Sequence, residues 1–472
     1  MLRLTLAGAA GLLLSDRLAA SSRRQKPKPK RILIVGGGFA GLAAAYELSA
    51  AGYDVRVFEA RNRVGGRVVS FHDLAPGKTV EGGAELIGSN HPTWLSYQQK
   101  FNLDLLDVSD EPGDAPLVLD GRVLRDAEAE AIYQDLETAY AALNIVAAPV
   151  DAVEPWKSPN AAALDHETVA AWIDARSMAP SSKRALHAEF AADNGAETSA
   201  QSHLANLAQI KGGGLDRYWT DTESFRCRGG NQQLAQKLAA ALPAHHVRTR
   251  TVVTKITTTA KGASVTLEDE SVVKGDDVIL AVPPSVWSKI AFDPPLPSGL
   301  HPQMGSNVKF LAVVRSQFWR RAGLAPNLLS DRPVQITWEA TDNQPGPGVV
   351  LTAFSGAGAA NECRGWKAAD RTKAYLRALG VAYPDIAKEF VKARFMDWPG
   401  DTWTRASYAF PAPGQVTTLG PILREGLGRL HFAGEHTNFA FIGYMEGALG
   451  SGVALAARLA ARDGVARQIR AL

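Results

Sequence analysis

The run from Arg31 to Glu59 limits what this chain can become more than any other stretch. Ile32–Val35 is apolar throughout, as a strand covered on both faces should be. Gly36, Gly38 and Gly41 follow in G-x-G-x-x-G spacing, and Ala40 sits inside the same turn. Leu42–Ala51 is rich in Ala and Leu, and Gly52 stands where a helix should stop. Asp54–Phe58 reads as a second strand that delivers Glu59 at its end. Each residue type has a physical reason. Gly36 permits the tight turn, Gly38 lets the backbone approach a pyrophosphate, and Gly41 lets the helix lie close to the strand. The helix start then offers free N–H groups and a partial positive charge to phosphates, and Glu59 can accept hydrogen bonds from a ribose. A glycine triplet alone is a weak signal. Strand, glycines, helix, strand and terminal acid in one unit specify a dinucleotide site.

At 472 residues the chain exceeds one ordinary core, so two or three lobes are expected. The net charge of +3 hides an asymmetry: residues 1–30 hold seven Lys or Arg and one acid, which leaves the remainder slightly acidic. The basic balance therefore belongs to a tail and gives no reason to expect nucleic acid. Leu4–Leu14 is an apolar run of signal-peptide length, too short to span a bilayer, and Arg23–Lys30 reads as a solvated linker. A protein folded around a dinucleotide would need the twin-arginine export route, but only Arg3 precedes the apolar run. The expectation is a periplasmic or secreted protein with a truncated leader, and otherwise a cytoplasmic one. Cys227 and Cys363 are too few for a disulfide framework or a metal cluster and read as buried free thiols. His91 and His436 lack metal-ligand spacing.

Beyond the opening unit comes Arg61-Asn62-Arg63-Val64-Gly65-Gly66-Arg67, a turn that can return backbone and a guanidinium to the same pyrophosphate. Gly82-Gly83-Ala84-Glu85-Leu86-Ile87-Gly88 follows, with small residues suited to close passage under a flat ring. With this opening, the two motifs resemble the flavin-containing amine oxidase superfamily, which includes monoamine oxidases, polyamine oxidases and L-amino-acid oxidases. Further patches are similar to the same family. They are Arg228–Leu234, where Asn231 is expected to cap a helix carrying Leu234, Leu238 and Leu242, and Val253–Ile256, whose Val253 would lie against the adenine. They continue with Asp277–Pro284, and with Met304–Lys309 followed by Phe318-Trp319. Phe432–Thr437 and Gly443–Ala448 are the most specific. The stretches 104–225 and 325–395 carry little of this signal. There, Thr168–Ile173, Ser181–Phe190 and Ser202–Leu207 have helical apolar spacing, and Pro333–Glu339 and Val349–Phe354 look like strands.

The resemblance implies roles. FAD would be gripped at its adenosine end by Gly36, Gly38, Ala40, Gly41, Glu59 and Val253, with Arg61, Gly66 and Arg67 nearby. Gly83, Ala84, Glu85, Trp398, Gly434, Glu435, Tyr444, Met445 and Ala448 would surround its ribityl and flavin parts. The helix start at Tyr444-Met445 would face the flavin N1–C2 edge and stabilise the charge of its reduced form. Lys309, a lysine within an apolar strand, matches the family's flavin-facing lysine, which holds a water at N5 and assists reoxidation by O2; strand alternation alone could also place it outside. Tyr444 and Tyr408 would form an aromatic cage around a neutral amine, with Phe410 as the alternative to Tyr408. Two departures stand out. Ala406 and Ser407 occupy the stretch where monoamine oxidases tether FAD through a Cys, so non-covalent FAD is expected. Glu85 falls where a ring-adjacent residue is expected; it would bind a cationic substrate or repel an anionic one, or else pair with an Arg in the core. An L-amino-acid oxidase needs an Arg for the substrate carboxylate, and Arg226 and Arg394 are the candidates.

The expected fold is α/β. A Rossmann-like FAD-binding domain would be assembled from 31–103, 226–300 and 400–466, and an α+β substrate domain from 104–225 and 301–399. The expected function is FAD-dependent oxidative deamination of an amine, with O2 as acceptor and H2O2 as product, by a protein without a transmembrane span. The alternatives are an L-amino-acid oxidase, a desaturase or isomerase with a wide apolar tunnel, and a flavin-bound protein without turnover.

Overall fold

Residues 29–465 are described in a computed structural model, so the leader expected from the sequence lies outside the described residues. A parallel sheet of five strands carries the opening unit. Its order is Leu430–Phe432, Asp277–Leu280, Arg31–Val35, Asp54–Phe58, Val247–Arg248, with every neighbouring pair parallel. The central strand is covered on both faces, which is why Ile32, Leu33 and Ile34 are all fully buried and show no alternation. The helix Phe39–Ala50 starts directly after Gly38, three residues earlier than its Ala/Leu-rich part suggests, and Gly52 turns the chain back at φ +94°.

The helix Met445–Arg462 lies against Phe39–Ala50. Gly452 makes the approach possible, because a Cβ there would stand 2.3 Å from the Ala40 carbonyl. Asp277 fixes the far end of that helix. Its carboxylate accepts from Arg462 at 2.7 and 3.0 Å and lies 3.1 Å from His431. Burial pushes the Asp277 carboxyl up, but the bonds from His431 and Arg462 prevail and hold it well below the usual carboxylate range.

A second sheet of seven strands runs Phe390–Asp397, Asn307–Val314, Val349–Gly356, Ile336–Glu339, Leu329–Ser330, Leu117–Leu119, Arg122–Leu124. It is antiparallel except where Leu329–Ser330 meets Leu117–Leu119. Asn307–Val314 is buried along its whole length, so both Val308 and Lys309 are inside. Alternation therefore does not carry Lys309 to solvent. A helical layer from Asp126–Ala147, Val169–Asp174, Pro180–Asn194 and His203–Gly213 packs around Trp172, Phe190, Leu204 and Leu207. The strand expected over Pro333–Glu339 begins only at Ile336.

Asn231 corrects one expectation. It stands at the start of Gln232–Ala240, but its side chain caps nothing there. Its Nδ2 donates instead to the carbonyls of Glu85 at 2.8 Å and Ala84 at 3.2 Å. Both cysteines are free and buried. Among the described residues no helix is long and apolar enough to cross a membrane, and no group of His, Cys, Asp and Glu is placed to hold a metal ion.

Candidate active site

One continuous cavity of about 690 Å³ runs from the glycine turn to the start of the Met445–Arg462 helix. At one end it is lined by Gly36, Gly38, Ala40, Glu59, Arg61 and Val253. Gly66, Arg67, Gly83, Ala84, Trp398 and Glu435 follow, and then Gly434, Tyr444, Met445 and Ala448. Gly41 does not reach it. A Cβ on Gly41 would stand 2.1 Å from the Gly36 carbonyl, so this glycine serves the packing of helix on strand.

The backbone makes the first end. Gly38 is open toward the cavity, with only the Gly66 Cα, 4.0 Å away, near the position of an added Cβ. Neither Phe39–Ala50 nor Met445–Arg462 has a side-chain cap, so two helix N-termini present unclaimed N–H groups to the same space. Glu59 accepts from the Gly37 N–H at 2.8 Å and the Arg61 N–H at 2.7 Å, which sets its carboxylate at the strand end. Arg61 pairs with Asp401 and Thr404. Glu435 gathers the middle of the cavity: it accepts from Arg67 at 2.8 Å, from the Gly443 N–H at 3.0 Å and from the Ala409 N–H. The Trp398 indole donates to the Gly82 carbonyl at 2.9 Å and lies against Gly83. An elongated dinucleotide with an anionic centre fits this arrangement of open glycine, free N–H groups and fixed acid.

Side chains make the other end. Tyr444 and Tyr408 both line it, as does Phe410, which is 1% exposed. The Tyr408 hydroxyl donates to the Asp193 carbonyl at 2.6 Å. Tyr444 is held from behind by His91 and Phe441, whose rings meet it at 67° and 87°. Burial pushes the His91 imidazole down to about 3, so this support is neutral. Tyr218 lines the same space, with its hydroxyl beside that of Tyr444.

Three carboxylates join them that sequence reasoning did not single out. Glu189 and Asp193 lie four residues apart on the Pro180–Asn194 helix, hence on one face, and Glu223 precedes the strand Phe225–Cys227. Glu189 accepts from the Tyr140 hydroxyl at 2.6 Å. Asp193 and Glu223 lie open to the cavity, and neither is paired with a cation among the described residues. Burial raises the Glu189 carboxyl to about 7. Burial and then repulsion from Glu189 and Glu223 raise Asp193 well above the usual range. Glu223 is raised by burial and by Glu85. The i,i+4 acid pair was the available signal, but on an exposed helix face the same pair is ordinary.

Glu85 is not part of this acidic end. Its carboxylate is claimed by Lys309 at 2.8 Å, Arg226 at 2.8 Å and the Trp338 indole at 2.9 Å. The residue lines the cavity, and its carboxylate takes the core-pairing alternative with an Arg. Burial raises its pKa, but Lys309 and Arg226 outweigh that and lower it. Arg226 is also spent, on Asp342 and on the Glu339 carbonyl besides Glu85. Arg394 pairs with Asp73 at the surface. Neither guanidinium offers a fork to a substrate carboxylate.

Residues 39–460 match the flavin-containing amine oxidoreductase family. The chain belongs to that family. It is an oxidoreductase, and its cofactor is FAD. A Mycobacterium tuberculosis protein assigned as a flavin-containing monoamine oxidase, AofH, is 29% identical over 457 residues, covering 91% of this chain and 96% of that protein. Among solved structures, cyclohexylamine oxidase from Brevibacterium oxydans IH-35A superposes with a TM-score of 0.85 at 26% identity, covering 93% of this chain and 100% of the other. Putrescine oxidase with putrescine bound gives 0.83 at 26% identity, covering 92% and 100%. One neighbour is named for a monoamine and one for a diamine, so overall fold does not choose between them.

Proposed function

We propose that this protein is an oxidase of amines without an α-carboxylate, with preference for a substrate that carries a second positive centre. When bound, FAD would supply the acceptor for a hydride from the C–H bond beside the nitrogen; the resulting iminium would lose a proton or be hydrolysed by water to a carbonyl compound and ammonia or an amine, and O2 would take the two electrons with two protons and leave as H2O2. The chain's own residues supply position, dryness and charge. Tyr444 and Tyr408 line the space beside the Met445 helix start and can orient a neutral amine there. The free N–H groups of that helix start can hold negative charge. Lys309 lines the cavity from the second strand of the seven-stranded sheet, and in this reading it holds a water or assists O2.

The observation that carries the reading is the charge at the amine end. Among the described residues Asp193 and Glu223 have no cationic partner, and the guanidiniums of Arg226 and Arg394 are committed elsewhere. Both acidic side chains are exposed to the cavity, and carboxylates crowded by other acids gain from a cation brought to them. That favours an ammonium group on the substrate's far end and disfavours an amino acid or an apolar lipid. A peroxide-coupled screen of monoamines, diamines and L-amino acids tests it. Diamines are expected to give the highest kcat/KM, and activity confined to amino acids would refute the proposal.

A further inference from the structure

Lys309 leaves a strand buried on both faces, and its Nζ finds one hydrogen-bonding partner among the described residues, the Glu85 carboxylate. The Trp338 ring lies 5.0 Å from the same nitrogen. The second Glu85 oxygen accepts from both Arg226 Nε and Trp338 Nε1. Arg226 in turn is clamped by Asp342 and the Glu339 carbonyl. Side-chain exposure is 3% for Glu85, 8% for Lys309, 6% for Arg226 and 7% for Asp342, so water does little to screen them. Two cations balance two anions. The backbone beneath Glu85 is fixed as well. Asn231 holds the Ala84 and Glu85 carbonyls, and a Cβ on Gly83 would stand 1.8 Å from the Arg67 carbonyl.

From this geometry we infer that Glu85 is a positioning residue. It fixes where the Lys309 ammonium sits, which way its remaining N–H groups point, and how much net charge that edge of the cavity shows to the flavin. The inference rests on the reading of Lys309 as the flavin-facing lysine. Four acceptor sites on Glu85 meet three donors, which leaves the carboxylate no freedom to rotate and Lys309 one direction in which to extend. Replacing Glu85 by a neutral residue removes the one carboxylate that bonds both Lys309 and Arg226 and leaves them to Asp342 and to the acids around them, Glu81, Glu223 and Glu339, so the dry site gains one unit of net positive charge. Positive charge there favours the reduced, anionic flavin, and a loosened Lys309 no longer presents its N–H group to the oxygen-reacting side.

Four FAD-loaded proteins test this: wild type, E85Q, K309M and the double variant. Flavin midpoint potential and the second-order rate constant for reoxidation by O2 are measured for each. E85Q is expected to move the potential to a more positive value, and K309M to a more negative one. The O2 rate constant should fall about tenfold in E85Q, the size of one charge-assisted hydrogen bond. Added to K309M, E85Q should change that rate constant by no more than about twofold, because its effect runs through Lys309. An unmoved potential, or the same loss of O2 rate in the K309M background, overturns the inference and leaves Glu85 a structural residue. Should E85Q not load FAD, W338F removes one donor to the same carboxylate without changing charge. A smaller loss of O2 rate in W338F supports the inference, and the wild-type rate opposes it. If reduced wild type ignores O2 altogether, it is the oxidase reading that fails, and the potentials still decide the role of Glu85.

Discussion

At the dinucleotide end of the cavity the contacts are offered by backbone, and at the amine end by side chains. Gly36, Gly38 and Gly66 shape the first end, together with the start of the Phe39–Ala50 helix, and its one fixed acid, Glu59, is pinned by two backbone N–H groups. Glu189, Asp193, Glu223, Tyr218, Tyr408 and Tyr444 shape the second, and among the described residues its acids have no cationic partners. A site made of backbone depends on a few glycines in fixed spacing. A site made of side chains depends on which face each long insert happens to turn inward. The first end should therefore fail abruptly when one residue gains a Cβ, and the second should change by degrees.

Gly38→Val is the sharpest way to break the first end. The protein should fold, because the added side chain points into open space, but FAD affinity should fall on the order of 100-fold or more, as a cluster of N–H contacts is blocked. Flavin content after reconstitution measures this, and full loading would contradict the backbone-built cradle.

Asp193→Asn addresses the second end. KM for a diamine should rise about tenfold, the loss of one charged hydrogen bond, while KM for a monoamine stays within about twofold. An equal rise for both substrates would mean that Asp193 shapes the pocket without meeting the far ammonium.

The difference between the ends is also why the first was legible in the sequence as a whole and the second only through Tyr408, Tyr444 and Lys309. Gly38 and Glu59 are tied to their tasks by local geometry, so their spacing carries the message, and the Gly443–Ala448 motif does the same for the second helix start. The parallel sheet and the FAD cofactor followed from those motifs. Glu189 and Asp193 lie in a stretch with no motif, and their direction depends on how Pro180–Asn194 packs against helices far away in sequence. Glu85 stood out as an unusual residue, but its partners Arg226, Lys309 and Trp338 come from three separate parts of the chain. Asn231 occupies a helix start, as its residue type suggests, but its backbone is already helical there and its side chain is spent on the Ala84 and Glu85 carbonyls of another loop.

Titration sharpens the comparison further. The raised carboxyls at the amine end keep their protons at pH values where an unfolded acid has lost them. The folded apoprotein therefore binds more protons than the unfolded chain, so these groups favour folding at lower pH and lose that contribution as pH rises through the Glu189 value of about 7. Apoprotein thermal stability should decline from the ordinary carboxylate range, about pH 4.5, to about pH 7, and the diamine-to-monoamine ratio of kcat/KM should rise as pH passes about 7. Asp277, with its lowered pKa, acts oppositely and only in acid: its contribution is present above the ordinary carboxylate range and is lost as pH falls below it. A flat pH profile over that interval would mean the amine end is not acidic in solution.

Tyr218→Phe should give the smallest effect. It removes the hydroxyl beside that of Tyr444 but leaves both rings, so kcat should fall by about threefold or less, one neutral hydrogen bond at most. A far larger loss would give Tyr218 a part in handling protons.

Anaerobic titration of the FAD-loaded protein with a diamine and, separately, with an L-amino acid of matching length tests the central claim most directly. Loss of the oxidised flavin's visible absorbance with the diamine alone is the predicted result. Bleaching by the amino acid, with the diamine inert, would contradict it.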